Sequence, residues 1–367
     1  MRKQCPFYKD YRLMSRRKIY SLFHKIRSNK QSNMKNDCSV KLLVIIAVFT
    51  LSIVRADSAY SEQYVKVAAI GNVPPAINTQ DNQEIVDYVI KFWEKKLKQV
   101  LVSSPDLIVL PELCDLSLQG EEYLRVRKDQ ILDYFASVSK NNKCYIAFGM
   151  QREDKDGYWR NSCVVLDRNG QIAGIYDKNF PTIGEMEIGI KASNEASIIE
   201  TDFGSVAIAI CFDLNFEELR LKYAKEKPDL IIFSSMYHGG VVQSLWAYTC
   251  ESYFISSVYR GYASEIRNPM GEVIGSSTKN YDFIVKKINL DFKRVHLAYN
   301  YLNLTALKGK YGNTVKISDP GEYASVLVTS ENKIVSAEEM IEEFEIELFD
   351  DYLDRAREFR LEDGNLE

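Results

Sequence analysis

Continuously apolar segments alternate along this chain with segments whose apolar residues recur every three or four positions. The first kind predicts strands buried on both faces, as parallel strands covered by helices are, and occurs within residues 106–112, 144–150, 206–211 and 229–234. Residues 64–70, which include Lys66, form a further predicted strand. The second kind predicts amphipathic helices, at residues 82–102, 121–139, 219–225 and 241–253. Alternation of the two predicts an α/β domain.

Hairpin patterns dominate the middle of the chain. Residues 159–166 and 171–176 flank the turn-forming sequence DRNG, which predicts a hairpin. Further short strands are expected at residues 254–259, 263–267, 272–276 and 283–289. Because hairpins are antiparallel, the sheet is expected to be mixed.

The last segment, residues 336–360, is predicted to be helical. It opens with the capping-box sequence SAEE and carries an apolar stripe. One interpretation is a helix docked on its own domain, and the other is an arm that contacts a second subunit.

Charge separates a basic leader from an acidic body. The first 55 residues hold 13 lysines and arginines against 2 acidic residues, and the remainder holds 34 against 49. Residues 42–54 are uncharged and apolar, which is short for a membrane span and typical of a signal-peptide core. We therefore predict a leader over residues 1–59, translation from Met34, and a secreted or periplasmic protein. A basic cytoplasmic tail on a signal anchor is the alternative.

Composition excludes several classes of function. The acidic body gives no reason to expect a nucleic-acid partner. Of the 7 cysteines, 5 follow the leader and none forms a CxxC pair, so no disulfide framework is implied. The 3 histidines lack the spacing of zinc ligands. The sequence therefore predicts no zinc site.

Three polar residues stand at the ends of predicted strands, where open α/β sheets place their chemistry. Cys211 follows VAIAI, Glu112 follows DLIVLP, and Lys178 lies just beyond residues 171–176. Each has an ordinary explanation when taken singly: a small buried hydrophobe, a solvated loop glutamate, and a surface lysine.

Together, these segments resemble the motifs of the nitrilase, or carbon–nitrogen hydrolase, superfamily. The chain carries LPE at residues 110–112, YDK at 176–178 and CFDLNFEE at 211–218, in the order of that family. The resemblance covers about residues 64–290. It implies a four-layer αββα sandwich with mixed sheets and a helical C-terminal extension, and a triad of Glu112, Lys178 and Cys211.

The resemblance also implies acyl chemistry without a metal or an organic cofactor. A thiol reacts as its thiolate, so Glu112 would accept the Cys211 proton and Lys178 would stabilise the thiolate. Lys178 and the backbone N–H of Phe212 would hold the oxyanion of the tetrahedral intermediate. Glu112 would then activate the water that hydrolyses the thioester on Cys211.

Supporting residues are less clearly marked. The family often supplies a second glutamate beyond the lysine, and the candidates here are Glu185 and Glu187, of which the sequence favours Glu185. Tyr237 and His238 follow a strand beside the Cys211 strand, so both are expected to line the substrate pocket. Packing or loop roles remain open for both.

One departure from the family pattern concerns the helix at residues 241–253. The family tends towards an Arg-Ala-x-Glu-Asn segment there, and this chain has YTCES, which keeps only Glu251. Glu251 is therefore a candidate brace for the triad lysine or glutamate.

These observations predict a hydrolase domain over residues 60–310 and an extension over residues 311–367. The expected activity is cleavage of an amide, N-carbamoyl or nitrile C–N bond in a small molecule, by a homodimer or a higher homo-oligomer. Acyl transfer to an amine, and a catalytically silent binding or assembly module, remain alternatives.

Overall fold

The computed structural model describes residues 64–362, apart from residues 117, 119 and 260. The predicted leader, with its signal peptide and the start at Met34, lies outside the described residues. Across the described ranges, no helix combines the length and apolarity that crossing a bilayer requires.

The described residues form fifteen strands and nine helices. The strands are β1 (Tyr64–Ile70), β2 (Leu107–Val109), β3 (Tyr145–Glu153), β4 (Trp159–Leu166), β5 (Ile172–Asp177), β6 (Ile199–Thr201), β7 (Gly204–Ile210), β8 (Leu230–Ser235), β9 (Tyr253–Val258), β10 (Glu265–Arg267), β11 (Val273–Ser276), β12 (Phe283–Asn289), β13 (Phe292–His296), β14 (Val315–Ser318) and β15 (Ser325–Ser330). The helices are α1 (Asn82–Leu101), α2 (Glu121–Arg127), α3 (Gln130–Asn142), α4 (Ile183–Glu187), α5 (Glu217–Glu226), α6 (Val241–Cys250), α7 (Tyr301–Tyr311), α8 (Ala337–Glu343) and α9 (Phe349–Arg360).

Two six-stranded mixed sheets form the body of the protein. The first has the order β12-β1-β2-β3-β4-β5, with β1, β2 and β3 parallel and the other pairings antiparallel. The second has the order β11-β10-β9-β8-β7-β6, with β7, β8 and β9 parallel. Every strand predicted from the apolar runs and hairpin patterns is present, with ends shifted by a few residues.

The sheets pack face to face between two layers of helices. Val109 of the first sheet and Ile232 of the second belong to one core cluster, which also includes Trp246 of α6. A second cluster joins α1 and α3 to the outer face of the first sheet through Trp93 and Phe135. The predicted αββα sandwich is therefore confirmed.

Two hydrogen bonds between the sheets join the carboxyl ends of their parallel strands. The Ser234 hydroxyl donates to the carbonyl of Leu110 at 2.8 Å, and the Ser257 hydroxyl donates to that of Ile70 at 2.7 Å. Buried carbonyls need such partners. The bonds fix β8 beside the end of β2, where the polar residues predicted to react are found.

A smaller three-stranded sheet, with the order β13-β15-β14, follows the sandwich. Its core includes Val326 of β15, Leu307 of α7 and Met340 of α8. The sequence did not predict these strands, which begin at Phe292. The predicted boundary between residues 310 and 311 falls inside α7.

Two predicted helices are each interrupted. The helix predicted at residues 121–139 is divided into α2 and α3 at Lys128, whose φ is +41°. The single helix predicted at residues 336–360 is divided into α8 and α9, with Glu345 at a φ of +51°. Ile346 then enters the core of the small sheet, so tertiary packing overrides the helical pattern.

Candidate active site

Glu112 lies at the carboxyl end of β2, and its side chain is 2% exposed. Its Oε1 atom accepts hydrogen bonds from Lys178 Nζ and Asn161 Nδ2, both at 2.8 Å. Its Oε2 atom accepts from the backbone N–H of Met236 at 3.1 Å. A Cβ atom on Gly149 of β3 would lie 2.6 Å from Cα of Glu112, so the close approach of the two backbones requires glycine there.

Lys178 follows β5 and is buried between two carboxylates. Its Nζ lies 2.8 Å from Oε1 of Glu112 and 2.9 Å from Oε2 of Glu185. Burial lowers the pKa of Lys178, but the charges of Glu112, Cys211 and Glu185 outweigh burial and raise it above its ordinary value. An ammonium group has three hydrogens. One hydrogen for each carboxylate satisfies this pairing, which leaves the third for a substrate oxygen.

Cys211 follows β7 directly and opens the 3₁₀ turn Cys211–Asn215, with a φ of +47°. Burial raises the pKa of its thiol to about 12; the charge of Glu112 adds to this, while Lys178 and the N–H of Met236 oppose it. The thiol is therefore protonated at neutral pH. It needs a base at the moment of attack, and Glu112 is the carboxylate whose charge acts on it.

The backbone conformation of Cys211 predicts a gain in stability when the side chain is removed. Left-handed backbone is unfavourable for a residue with a Cβ atom and is accessible to glycine. Cys211→Gly is expected to be about 1 kcal/mol more stable than Cys211→Ala, because only the former relieves the strain. Denaturant unfolding of the two variants measures the difference. Equal stabilities would contradict it.

Asp213 fixes the lysine segment against the cysteine strand. Its carboxylate accepts hydrogen bonds from Tyr176 Oη, Phe180 N and Ile210 N at 2.8–2.9 Å. Burial raises the pKa of Asp213 to about 6, against the effect of these three donors. Because Tyr176 and Phe180 flank Lys178, this side chain determines where Lys178 lies relative to Cys211.

The structure distinguishes the two candidate supporting glutamates. Glu185 is the third residue of α4 and forms a capping box with Thr182, the residue before the helix, and it contacts both Lys178 and Asn161. Burial raises the pKa of Glu185, but the charge of Lys178 and the hydrogen bonds to the carboxylate lower it overall. Glu187 is exposed. The structure thus brings Glu185, and not Glu187, to Lys178.

The two predicted pocket residues behave differently. Tyr237 Oη accepts a hydrogen bond at 3.0 Å from Nδ2 of Asn215, in the turn that Cys211 opens, and burial together with the charge of Cys211 raises the pKa of this phenol to about 12. His238 turns towards β10, where its Nε2 lies 3.2 Å from Oε2 of Glu265. Phe212, whose N–H is a predicted oxyanion donor, occupies the first turn after Cys211, where backbone N–H groups lack partners within the turn.

Glu251 does not reach the triad, which corrects the prediction that it braces Lys178 or Glu112. It precedes β9 and so lies at the amino end of that strand, whereas the triad lies at the carboxyl ends. Its carboxylate pairs with Lys227 at 3.0 Å and accepts from the backbone N–H of Arg294 at 3.2 Å. These residues line a cleft of about 460 Å³ beside the small sheet.

Two residues at the site were not predicted from the sequence. Asn161 lies in β4 with no exposed surface, between Arg160 and Ser162, and the sequence pattern did not distinguish it from these polar neighbours. Met236 contributes through its backbone N–H, so no side-chain pattern could identify it. Among the residues that the structure describes, no group of three or more His, Cys, Asp or Glu is arranged to hold a metal.

Comparison with known proteins gives relatives with this fold. A hydrolase of Schizosaccharomyces pombe is 23% identical over 175 residues, which are 44% of this chain and 53% of the relative. The deaminated glutathione amidase of Dictyostelium discoideum is 22% identical over 269 residues, with 62% and 89% covered. The crystal structure of a carbon–nitrogen hydrolase from Helicobacter pylori G27 aligns with a TM-score of 0.53 at 15% identity, covering 62% of this chain and 90% of that chain. This last likeness shows the fold.

A family model extends the comparison from the fold to the sequence. The model of carbon-nitrogen hydrolases matches residues 66–257, more than half of the 367 residues. The matched range contains Glu112, Lys178 and Cys211, together with the strands that carry them. The chain belongs to the carbon–nitrogen hydrolase family.

Proposed function

We propose that this protein is a thiol hydrolase that cleaves the C–N bond of a small amide or N-carbamoyl compound through a thioester on Cys211. The observation that carries the proposal is the buried pair of Glu112 and Lys178, 2.8 Å apart, beside a partly exposed thiol. A buried ion pair is a poor source of stability. Its position at a thiol that needs a base favours a chemical role.

Acylation begins when Glu112 takes the Cys211 proton as Sγ attacks the substrate carbonyl carbon. The C=O π bond becomes an oxyanion, which the free hydrogen of Lys178 and the N–H of Phe212 stabilise. The oxyanion collapses, the C–N bond breaks, and protonated Glu112 delivers its proton to the leaving nitrogen. Ammonia or an amine departs, and a thioester on Cys211 remains.

Hydrolysis of the thioester uses the same groups. Glu112, again a carboxylate, removes a proton from water as the water oxygen attacks the thioester carbon. The second tetrahedral intermediate collapses with cleavage of the C–S bond. The proton held by Glu112 returns to Cys211, and the carboxylic acid product leaves.

An amide is favoured over a nitrile as the substrate. One matched relative is named for amidase activity on deaminated glutathione, and an acid–base residue that hands a proton to a leaving nitrogen suits amide cleavage. Transfer of the acyl group to an amine is the second candidate. Product analysis with added amines separates the two, because transfer yields a new amide in place of the acid.

Direct detection of the intermediate tests the proposal. Wild-type protein is screened for ammonia release from short amides, N-carbamoyl amino acids and nitriles, and the responding reactions are quenched in acid for mass spectrometry. We expect an acyl adduct on the peptide containing Cys211, and no adduct or turnover in Cys211→Ala. Turnover that survives in Cys211→Ala would contradict the mechanism. Absence of any adduct across the whole screen would favour a silent binding module.

Self-association and export complete the proposal. The solvent face of α6 is apolar, with Val241 81% exposed and Leu245 46% exposed, which suits a contact with a second copy of the chain. Sedimentation of the purified protein tests for a dimer.

Amino-terminal sequencing of the mature protein tests for cleavage after the leader, and a retained Met1 would contradict both export by a cleaved signal peptide and a start at Met34.

A further inference from the structure

One amide group links the two carboxylates of the site. Asn161 Nδ2 donates to Oε1 of Glu112 at 2.8 Å and to Oε1 of Glu185 at 2.7 Å. Both carboxylates also bind Nζ of Lys178. The four side chains therefore form a closed ring of hydrogen bonds, in which each carboxylate receives Asn161 as a neutral donor and Lys178 as a charged donor. Outside the ring, the backbone N–H groups of Met236 and Thr182 also donate to Glu112 and Glu185.

Electrostatics explains what this ring requires. With the thiol protonated, two carboxylates surround a single ammonium group, which leaves one excess negative charge in a buried site. Burial and a neighbouring like charge both disfavour ionised carboxylates. Hydrogen bonds donated to a carboxylate favour its ionised form. Asn161 supplies such a bond to each carboxylate without adding a charge.

The orientation of the amide shows which of its atoms matter. Both Nδ2 hydrogens are used, whereas Oδ1 is buried without a hydrogen-bond partner among the residues the structure describes. An unpaired buried acceptor is unfavourable for folding. Rotation of the amide would instead place Oδ1 against two carboxylate oxygens. The orientation of the Asn161 amide therefore satisfies the two carboxylates and leaves Oδ1 of Asn161 unsatisfied.

We propose that Asn161 is a positioning residue that keeps Glu112 and Glu185 ionised together on Lys178. Through Glu112 it preserves the base that accepts the Cys211 proton. Through Glu185 it holds Lys178 with one hydrogen free for the oxyanion. The kinetic part of this inference rests on the proposed hydrolase activity.

The charged groups around Asn161 are few. Glu112, Lys178 and Glu185 contact it or share its hydrogen bonds, and Cys211 interacts with the first two. On the neighbouring strand β5, Asp177 accepts from Ser162 Oγ at 2.5 Å and pairs with Arg152 at 2.8 Å, so its charge is already balanced. The opposite residue on β3, Gln151, is uncharged.

The pH profile of Asn161→Ala distinguishes positioning from structural support. The carboxylates lose a shared donor, so we expect the acid limb of kcat/KM to move to higher pH by about one unit and kcat to fall by about tenfold or more. Asn300→Ala is the matched control. Asn300 is also buried, and its Nδ2 donates to two carbonyls, of His296 and Glu347, in the small-sheet region. The control is expected to keep the wild-type profile.

Alkylation of Cys211 by iodoacetamide provides a readout that needs no turnover. Asn161→Asp adds a negative charge to the ring, which disfavours the thiolate. We expect its alkylation rate constant at pH 9.5 to be at least about tenfold below wild type, and that of Asn300→Asp to be unchanged. If no substrate is turned over, the proposed hydrolase activity fails, while this rate still decides the role of Asn161.

Thermal unfolding establishes which variants are folded. An unchanged acid limb in folded Asn161→Ala, or a wild-type alkylation rate in folded Asn161→Asp, would overturn the proposal. A shift of the acid limb in Asn300→Ala as large as that in Asn161→Ala would overturn it as well. If Asn161→Asp does not fold, the profile of Asn161→Ala decides alone.

Discussion

Glu112→Gln is expected to lower kcat for amide hydrolysis by about 10²- to 10⁴-fold, the usual contribution of a positioned general base. The amide of glutamine can still accept hydrogen bonds, but it cannot take the Cys211 proton or return it to the leaving nitrogen. The thiol of the wild-type protein has a pKa of about 12, and a fall of about one unit in the variant still leaves little thiolate at neutral pH to replace the lost base. Steady-state kinetics on the best substrate from the screen measures the effect.

The same variant is expected to react faster with iodoacetamide. After burial, the negative charge of Glu112 is the largest cause of the high pKa of Cys211, so its removal beside the remaining Lys178 cation lowers that pKa. We expect the alkylation rate constant at pH 9.5 to rise by about tenfold or more. Glu187→Gln, which replaces an exposed glutamate in α4, is the control. It is expected to change neither the turnover rate nor the alkylation rate. A parallel fall of turnover and alkylation in Glu112→Gln would indicate a damaged site rather than a lost base.

Lys178→Met is expected to abolish activity and to destabilise the fold by about 3–5 kcal/mol, because removal of one partner leaves buried carboxylates without a cation. Lys178 is 1% exposed, so solvent cannot screen the remaining charges. Denaturant unfolding at pH 7 measures the loss. Lys98→Met, which removes a lysine that is 71% exposed and paired with Glu94, is expected to change stability by less than about 1 kcal/mol.

The destabilisation in Lys178→Met is also expected to depend on pH. The pKa of Glu185 is lowered from 4.5 in the folded protein, so its contribution to stability is present above pH 4.5 and is lost as the pH falls through the lowered value. The pKa of Lys178 is raised from 10.5, so its contribution is present below pH 10.5 and is lost as the pH rises through the raised value. The difference between wild type and variant is therefore largest between these limits. A difference that stays constant down to pH 3 would contradict an ionic origin.

The sequence was most informative where a reacting residue directly follows an apolar strand. Cys211 and Glu112 each end such a strand, β7 in one sheet and β2 in the other. The face-to-face packing of the two sheets brings these carboxyl ends to one edge of the sandwich. Lys178 follows a hairpin whose turn was also visible. Strand order, and hence which ends meet, was available only through the resemblance to a family, since apolar runs predict strands without specifying their neighbours.

Residues that depend on tertiary contacts could not be predicted in the same way. Glu251 occupies the expected place along the sequence, yet it lies at the amino end of its strand and pairs with Lys227. Glu185 and Glu187 are two residues apart, and only the capping box at Thr182 determines which one faces Lys178. The helix breaks at Lys128 and Glu345 were not predicted, because neither segment contains a proline or glycine that would indicate a helix end. These breaks follow from packing.

The pairing of β12 with β1 has a consequence for the order in which the protein is made. The reacting residues and their partners are all synthesised by Met236, but β1 remains an open edge until Asn289 has left the ribosome and pairs with Tyr64. Contacts so distant in sequence form slowly, and an exposed strand edge invites pairing with another chain. A nascent chain therefore contains every group of its active site before the first sheet can be completed. Until β12 has been synthesised, the open edge of β1 is a site that a chaperone can protect from pairing with another chain.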